Sequence, residues 1–120
     1  MRENSRAMPG QAVWVCVDRV KGDRHDDYRR FLFDVKAPAV RAIRSEAHAS
    51  VRLLEPSTPD PDGTWPFIWL MDPALPGEDY ETAAMLEAFY GKERAIEYLR
   101  LWDEMCAEEQ LFFEMVQTDW

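Results

Sequence analysis

The sequence predicts an α+β domain: a four-stranded antiparallel sheet with two helical regions on one face, in the split βαβ, or ferredoxin-like, order. Three observations predict it. Segments rich in β-branched and aromatic residues alternate with segments of helical period, in the order strand, helix, strand, strand, helix, strand. Runs of turn formers such as "STPDPDGT" separate them. At 120 residues the chain can bury one core but not two. The domain is placed over residues 12–120, after a polar lead-in over residues 1–11 expected to be flexible.

The first strand is "QAVWVCVDRV", where Val13, Val15 and Val17 alternate with Trp14, Cys16 and Asp18. After Gly22 the period becomes helical. Asp23 is the expected N-cap, and Asp26 and Asp27 follow in the first turn, where the helix dipole favours negative charge. Tyr28, Phe31, Leu32 and Val35 form one apolar stripe, which Val40, Ile43 and Ala47 resume beyond Pro38. Because proline lacks an N–H, a kinked helix or two abutting helices are expected from about Arg24 to Ala47. "SVRLLEP" is a second strand, joined by a long hairpin to the third, "GTWPFIWLMDP". The second helical region runs through Tyr80, Ala83, Ala84, Leu86 and Phe89, breaks at Gly91, and continues through Ala95, Ile96, Leu99, Trp102, Met105 and Cys106. "QLFFEMVQTDW" closes the chain as a strand.

The third strand carries a second message. A strand with one wet face alternates apolar and polar residues, yet Phe67, Ile68, Trp69, Leu70 and Met71 run on without a polar break. The first strand is apolar on both faces too. One layer of helices covers only one face, and a bare apolar face is seldom tolerated by a monomer. A homodimer packed sheet to sheet is therefore expected. Compact aliphatics such as Val13, Val15, Ile68 and Leu70 suit the layer beneath the helices. Trp14 and Trp69 are then expected to face the interior of the barrel the two sheets enclose.

With this element order over Ala12 to Trp120, the chain resembles the dimeric α+β barrel superfamily, which includes antibiotic-biosynthesis monooxygenases and ether-degradation-type proteins. The local match is "DVKAPAVRAIRS", Asp34 to Ser45, which is similar to a first-helix pattern of the ether-degradation-type group. That pattern has a histidine, one spacer and a proline; here Lys36, Ala37 and Pro38 occupy those places. A histidine's activity does not transfer to lysine, whose ordinary pKa lies well above neutrality. Lys36 is expected to be structural, its stem over the helix and its ammonium in water.

The resemblance implies a dimeric barrel that binds organic ligands on the barrel face. The ligand-contacting candidates are Trp14, Trp69, Phe67, Met71 and Tyr28, and the expected ligand is an apolar or aromatic small molecule. Four residues are candidates for proton transfer. Glu114 lies between Phe113 and Met115 in the last strand, and Asp18 shares a face with Trp14. His25 stands at a helix start in "DRHDD", and His48 follows the first helix. Each has a structural alternative: solubilising edge charge for Glu114, strand-end solvation for Asp18, and helix-end electrostatics for both histidines.

Composition removes other classes. A formal net charge of −9 disfavours nucleic acid and anionic membranes. The start has no apolar signal segment, and no run approaches a membrane span. Cys16 and Cys106 form no CxxC pair and read as free thiols in a reducing cytoplasm. No phosphate-cradling loop, nucleophile elbow or clustered His/Cys set occurs, so neither cofactor nor metal is expected. Two functions remain open: a cofactor-free isomerase, cyclase or oxygenase, and a non-catalytic dimeric binding or accessory protein with a filled barrel.

Overall fold

The computed structural model describes residues 6–120. Its elements are β1 (Ala12–Val20), α1 (His25–Phe31), α2 (Ala37–Ile43), α3 (Ser45–Ser50), β2 (Val51–Leu54), β3 (Trp65–Met71), α4 (Thr82–Tyr90), α5 (Lys92–Met105) and β4 (Leu111–Val116). The strands form one antiparallel sheet in the order β2-β3-β1-β4, with β1 and β3 at its centre. This is the ferredoxin-like arrangement expected from the element order. Of the lead-in, residues 1–5 lie outside the described residues. The Ala7 N–H donates to Asp72 at 2.7 Å, and residues 10 and 11 exchange backbone bonds with Gln117.

The first helical region runs on through Pro38 and breaks instead at Arg44, whose φ of −134° and ψ of 59° separate α2 from α3. A π-turn spans Leu32–Lys36, and the Ala37 N–H donates to the Leu32 carbonyl, five residues back. The wider turn precedes the proline, whose ring would otherwise crowd the carbonyl four residues before it. Asp23 does not cap the helix. It lies in a 3-10 turn, Gly22–Arg24, and α1 begins at His25 with no side-chain cap bond. Asp26 and Asp27 do occupy its first turn. Gly91, at a φ of 91°, separates α4 from α5.

Registry fixes the faces of the sheet. Trp14 pairs with Met71, Cys16 with Trp69, Asp18 with Phe67 and Val20 with Trp65, so these eight residues share one side. Val20, Phe67 and Asp18 on that side are buried, and Tyr28, Phe31, Leu32, Leu86, Ala95 and Met105 of the helices close over it. Trp14 and Trp69 therefore lie beneath the helices, not on the open face. Val13, Val15, Ile68 and Leu70 lie on the open face instead, which reverses the expected assignment. The physical reason is the indole N–H. Trp69 donates to the buried Asp18 at 3.3 Å, and Trp65 to the Gly22 carbonyl at 3.1 Å. An aliphatic sheet face offers no such acceptor. Ile96, expected in the buried stripe of α5, is 49% exposed.

Candidate functional site

A cavity of about 920 Å³ opens between the helices and the sheet. Its floor is Trp14, Cys16, Trp69 and Met71 from the central strands. The π-turn and α2 supply Leu32, Lys36 and Val40, and the segment before α4 supplies Tyr80 and Thr82. Trp102 of α5 and Phe112 of β4 complete the aromatic wall. Trp14 meets Tyr80 and Phe112 edge to face, at centroid separations of 5.8 and 5.6 Å. Tyr80 is held in place by the Leu75 N–H, which donates to its hydroxyl at 2.8 Å.

Lys36 reaches the centre of this site. It is only 9% exposed, and its Nζ sits 3.9 Å from the Trp69 ring centroid and 5.0 Å from that of Trp102. Among the described residues no carboxylate forms an ion pair with it. Burial lowers its pKa from 10.5 to about 8, against the opposing pull of Asp18. The expectation of an ammonium in bulk water is thus corrected: cation–π contact with two indoles replaces most of its hydration.

Beneath the floor, Asp18 is 1% exposed. It accepts hydrogen bonds from the Tyr28 hydroxyl, from Trp69 Nε1 at 3.3 Å and from Gln110 Nε2 at 2.8 Å. Three donors converging on one carboxyl suit an acceptor-only carboxylate. Tyr28 is pushed well above its ordinary pKa by burial and then by Asp18, so it stays a donor. Burial likewise raises Cys16 to about 11 and Cys106 to about 12. Both cysteines are free thiols, Cys16 buried and Cys106 half-buried. Trp102 Nε1 is buried with no hydrogen-bond partner among the described residues.

The sequence candidates divide clearly. Trp14, Trp69, Met71 and His48 line the cavity, while Asp18 supports its floor through Trp69 and Gln110. Phe67 and Tyr28 are fully buried in the core and do not line it. His25 lies away from it, its ring 4.4 Å from that of Trp65 and its Nδ1 3.0 Å from Asp26. Glu114, paired with Trp14 across the edge of the sheet, is exposed and does not line the cavity. His48 is half-buried, and its pKa is lowered by burial and by Arg41. Lys36, Tyr80, Trp102, Gln110 and Phe112 are the main residues missed. For Lys36 a signal existed: it lies four residues after Leu32 and four before Val40, on the buried stripe. Among the described residues no group of three or more His, Cys, Asp or Glu could hold a metal ion, and no helix is long and apolar enough to cross a membrane.

The buried cation has a measurable cost. Below about pH 8 Lys36 is charged in both folded and unfolded chains, and the full desolvation penalty applies. From about 8 up to 10.5 only the unfolded chain holds the proton, so this group's penalty fades as pH rises. Lys36→Met should therefore gain about 2 kcal/mol at pH 7, with the advantage vanishing near pH 10.5. Urea denaturation of both proteins across that range checks it. An equal or less stable variant at pH 7 contradicts the burial argument.

No protein-family model matches the sequence, and no curated protein matches it. Solved structures do. One is a candidate antibiotic biosynthesis monooxygenase from Caulobacter crescentus CB15, 10% identical, covering 92% of each chain with a TM-score of 0.50. A second candidate of the same description, from Nitrosomonas europaea, is 10% identical over 92% of this chain and 93% of that one, with a TM-score of 0.39. A designed protein with a ferredoxin fold is 13% identical over 93% and 88%, with a TM-score of 0.33. What the first likeness establishes is architecture: this chain has the ferredoxin-like α+β fold of the Caulobacter protein.

Proposed function

We propose that the protein binds an apolar or aromatic small molecule in the cavity between helices and sheet, as a cytoplasmic homodimer that needs no cofactor. The observation that carries this reading is the aromatic enclosure itself: Trp14, Trp69, Tyr80, Trp102 and Phe112 line one space of about 920 Å³. Apolar walls with a few polar groups are the usual make-up of a small-molecule site. The fold shared with a candidate monooxygenase supports an enzyme, and the buried amine and His48, which both line the cavity, support a proton-transfer role.

The filled-barrel reading keeps one part of its support. The open face carries Val13, Val15, Val17, Ile68, Leu70 and the exposed Phe113 as its apolar centre, with Arg19 and Arg52 on the same face at its margins. Packed against a second copy, such a face makes a solid interface, and the ligand site then belongs to each protomer separately. A pair of free thiols suits a reducing compartment.

Indole fluorescence tests the binding site. Naphthalene-type ligands should quench it, and Trp69→Leu should weaken binding about tenfold, the loss of one aromatic contact. His25→Ala should bind as the parent does. Equal losses for the two variants, or no quenching by any aromatic ligand, would overturn the reading.

A further inference from the structure

Lys36 differs from the other lysines of the chain. There are three, at positions 21, 36 and 92, and those at 21 and 92 are exposed. The amine at 36 is set into the wall of the cavity, above two indole rings, with no ion-pair partner among the described residues. We infer that Lys36 is a carbonyl-binding amine, whose Nζ condenses with the aldehyde or ketone group of an apolar or aromatic ligand to form an imine. This rests on the cavity being the ligand site, and it names the reactive group that the ligand carries.

The step balances without a co-reactant. The nitrogen lone pair of the neutral amine attacks the carbonyl carbon, the C=O π pair moves to oxygen, and that oxygen takes up the proton the nitrogen loses. The carbinolamine then expels its hydroxyl as water, with a proton from solvent in the open cavity, leaving a C=N bond and a positive charge on nitrogen. Amine, carbonyl and one proton from solvent become iminium and water, with no change of oxidation state.

The surroundings suit each stage. Desolvation in an apolar pocket is a recognised way to free a lysine lone pair, and Lys36 is lowered to about 8. The iminium inherits the place of the ammonium over Trp69 and Trp102, whose faces attract cations. Asp18 adds a fixed carboxylate close enough to favour the cationic form. That same carboxylate disfavours the competing occupant, a permanently anionic ligand paired with the ammonium. The groups that act on Lys36 are Asp18 and Cys16 on β1 and Cys106 after α5. Both thiols stay protonated, so neither competes for the carbonyl.

Reductive trapping tests the inference. The full chain is incubated with cinnamaldehyde and cyanoborohydride at pH 7.5, and adducts are mapped by peptide mass spectrometry. Lys36 should be modified at least about tenfold faster than Lys21 and Lys92, which serve as internal controls. Its rate should saturate with aldehyde concentration, rise with pH to a plateau above about 8, and fall when cinnamyl alcohol competes. Lys36→Met and Lys36→Arg should both lose the fast adduct, the second while keeping a cation. Equal rates at the three lysines would overturn the inference, as would a linear, uncompeted rate at Lys36, which marks simple solvent-side reactivity. If cinnamyl alcohol quenches the indole fluorescence but cinnamaldehyde leaves Lys36 unmodified, the carbonyl chemistry fails and the binding site stands. If neither compound binds, both fail.

Discussion

Asp18→Ala should destabilise the folded chain by about 3–4 kcal/mol. The carboxyl is 1% exposed and accepts from Tyr28, Trp69 and Gln110, so its removal strands three donors and takes away the carboxylate that favours the Lys36 ammonium. Against the few kcal/mol that hold a domain of this size together, such a loss is large. Asp18→Asn should cost less, because one carboxamide oxygen still serves part of the set, while its NH2 faces donors. Urea denaturation with a two-state fit gives both numbers. A loss below about 1 kcal/mol for the alanine variant would mean that solvent replaces the carboxylate, contrary to its burial.

Val15→Asp should separate the proposed homodimer. Val15 stands in the centre of the open face, between Leu70 on β3 and Phe113 on β4. In a two-fold sheet-to-sheet interface the substitution places two uncompensated charges in apolar surroundings. An unpaired charge in such a setting costs about 2–5 kcal/mol, so the dissociation constant should rise by on the order of a thousandfold. Sedimentation at low micromolar concentration should find the parent as dimer and the variant as folded monomer. A parent that sediments as monomer there refutes the dimer outright. Circular dichroism of the variant separates dissociation from unfolding.

Much of the fold was legible because its signals are local. β-Branched alternation marked β1, the turn formers "STPDPDGT" marked the hairpin, and Gly91 marked the break between α4 and α5. That both sheet faces are apolar was also legible. Which face turned inward was not, because alternation assigns residues to two sets without saying which set meets the helices. The deciding feature was Asp18, a buried acceptor that holds the indole of Trp69 on the helix side. Size-matching of tryptophans to a wide space pointed the other way and lost to hydrogen-bond satisfaction.

The site was half legible for a related reason. The strand pattern singled out Trp14, Trp69 and Met71 but assigned them to the space between two sheets, whereas the cavity they line lies on the helix side; His48 lines it too, although its position also suited helix-end electrostatics. Lys36 was set aside on residue type, although its spacing put it on the buried stripe with Leu32 and Val40. Glu114 was left open between an inward acid and a solubilising edge charge; it shares a face with Trp14, but edge strand β4 is exposed along its whole length and the carboxylate stays in solvent. Tyr80, read as the start of the second helical stripe, lies instead in the loop before α4, and only tertiary structure brings it beside Trp14.

The π-turn at Leu32–Lys36 has a consequence for comparing this chain with others. A single wide turn is what an α-helix becomes when one residue is inserted and both flanks keep their packing. A relative with a regular first helix would therefore carry one residue fewer between Tyr28 and Val40. Aligned without a gap, such a pair would fall out of phase by about 100° on one side of the insertion. Residues of the buried stripe would then be matched to residues in solvent. A gap placed within residues 32–36 restores the phase on both sides, and the position of that gap decides which residue of the relative stands opposite Lys36.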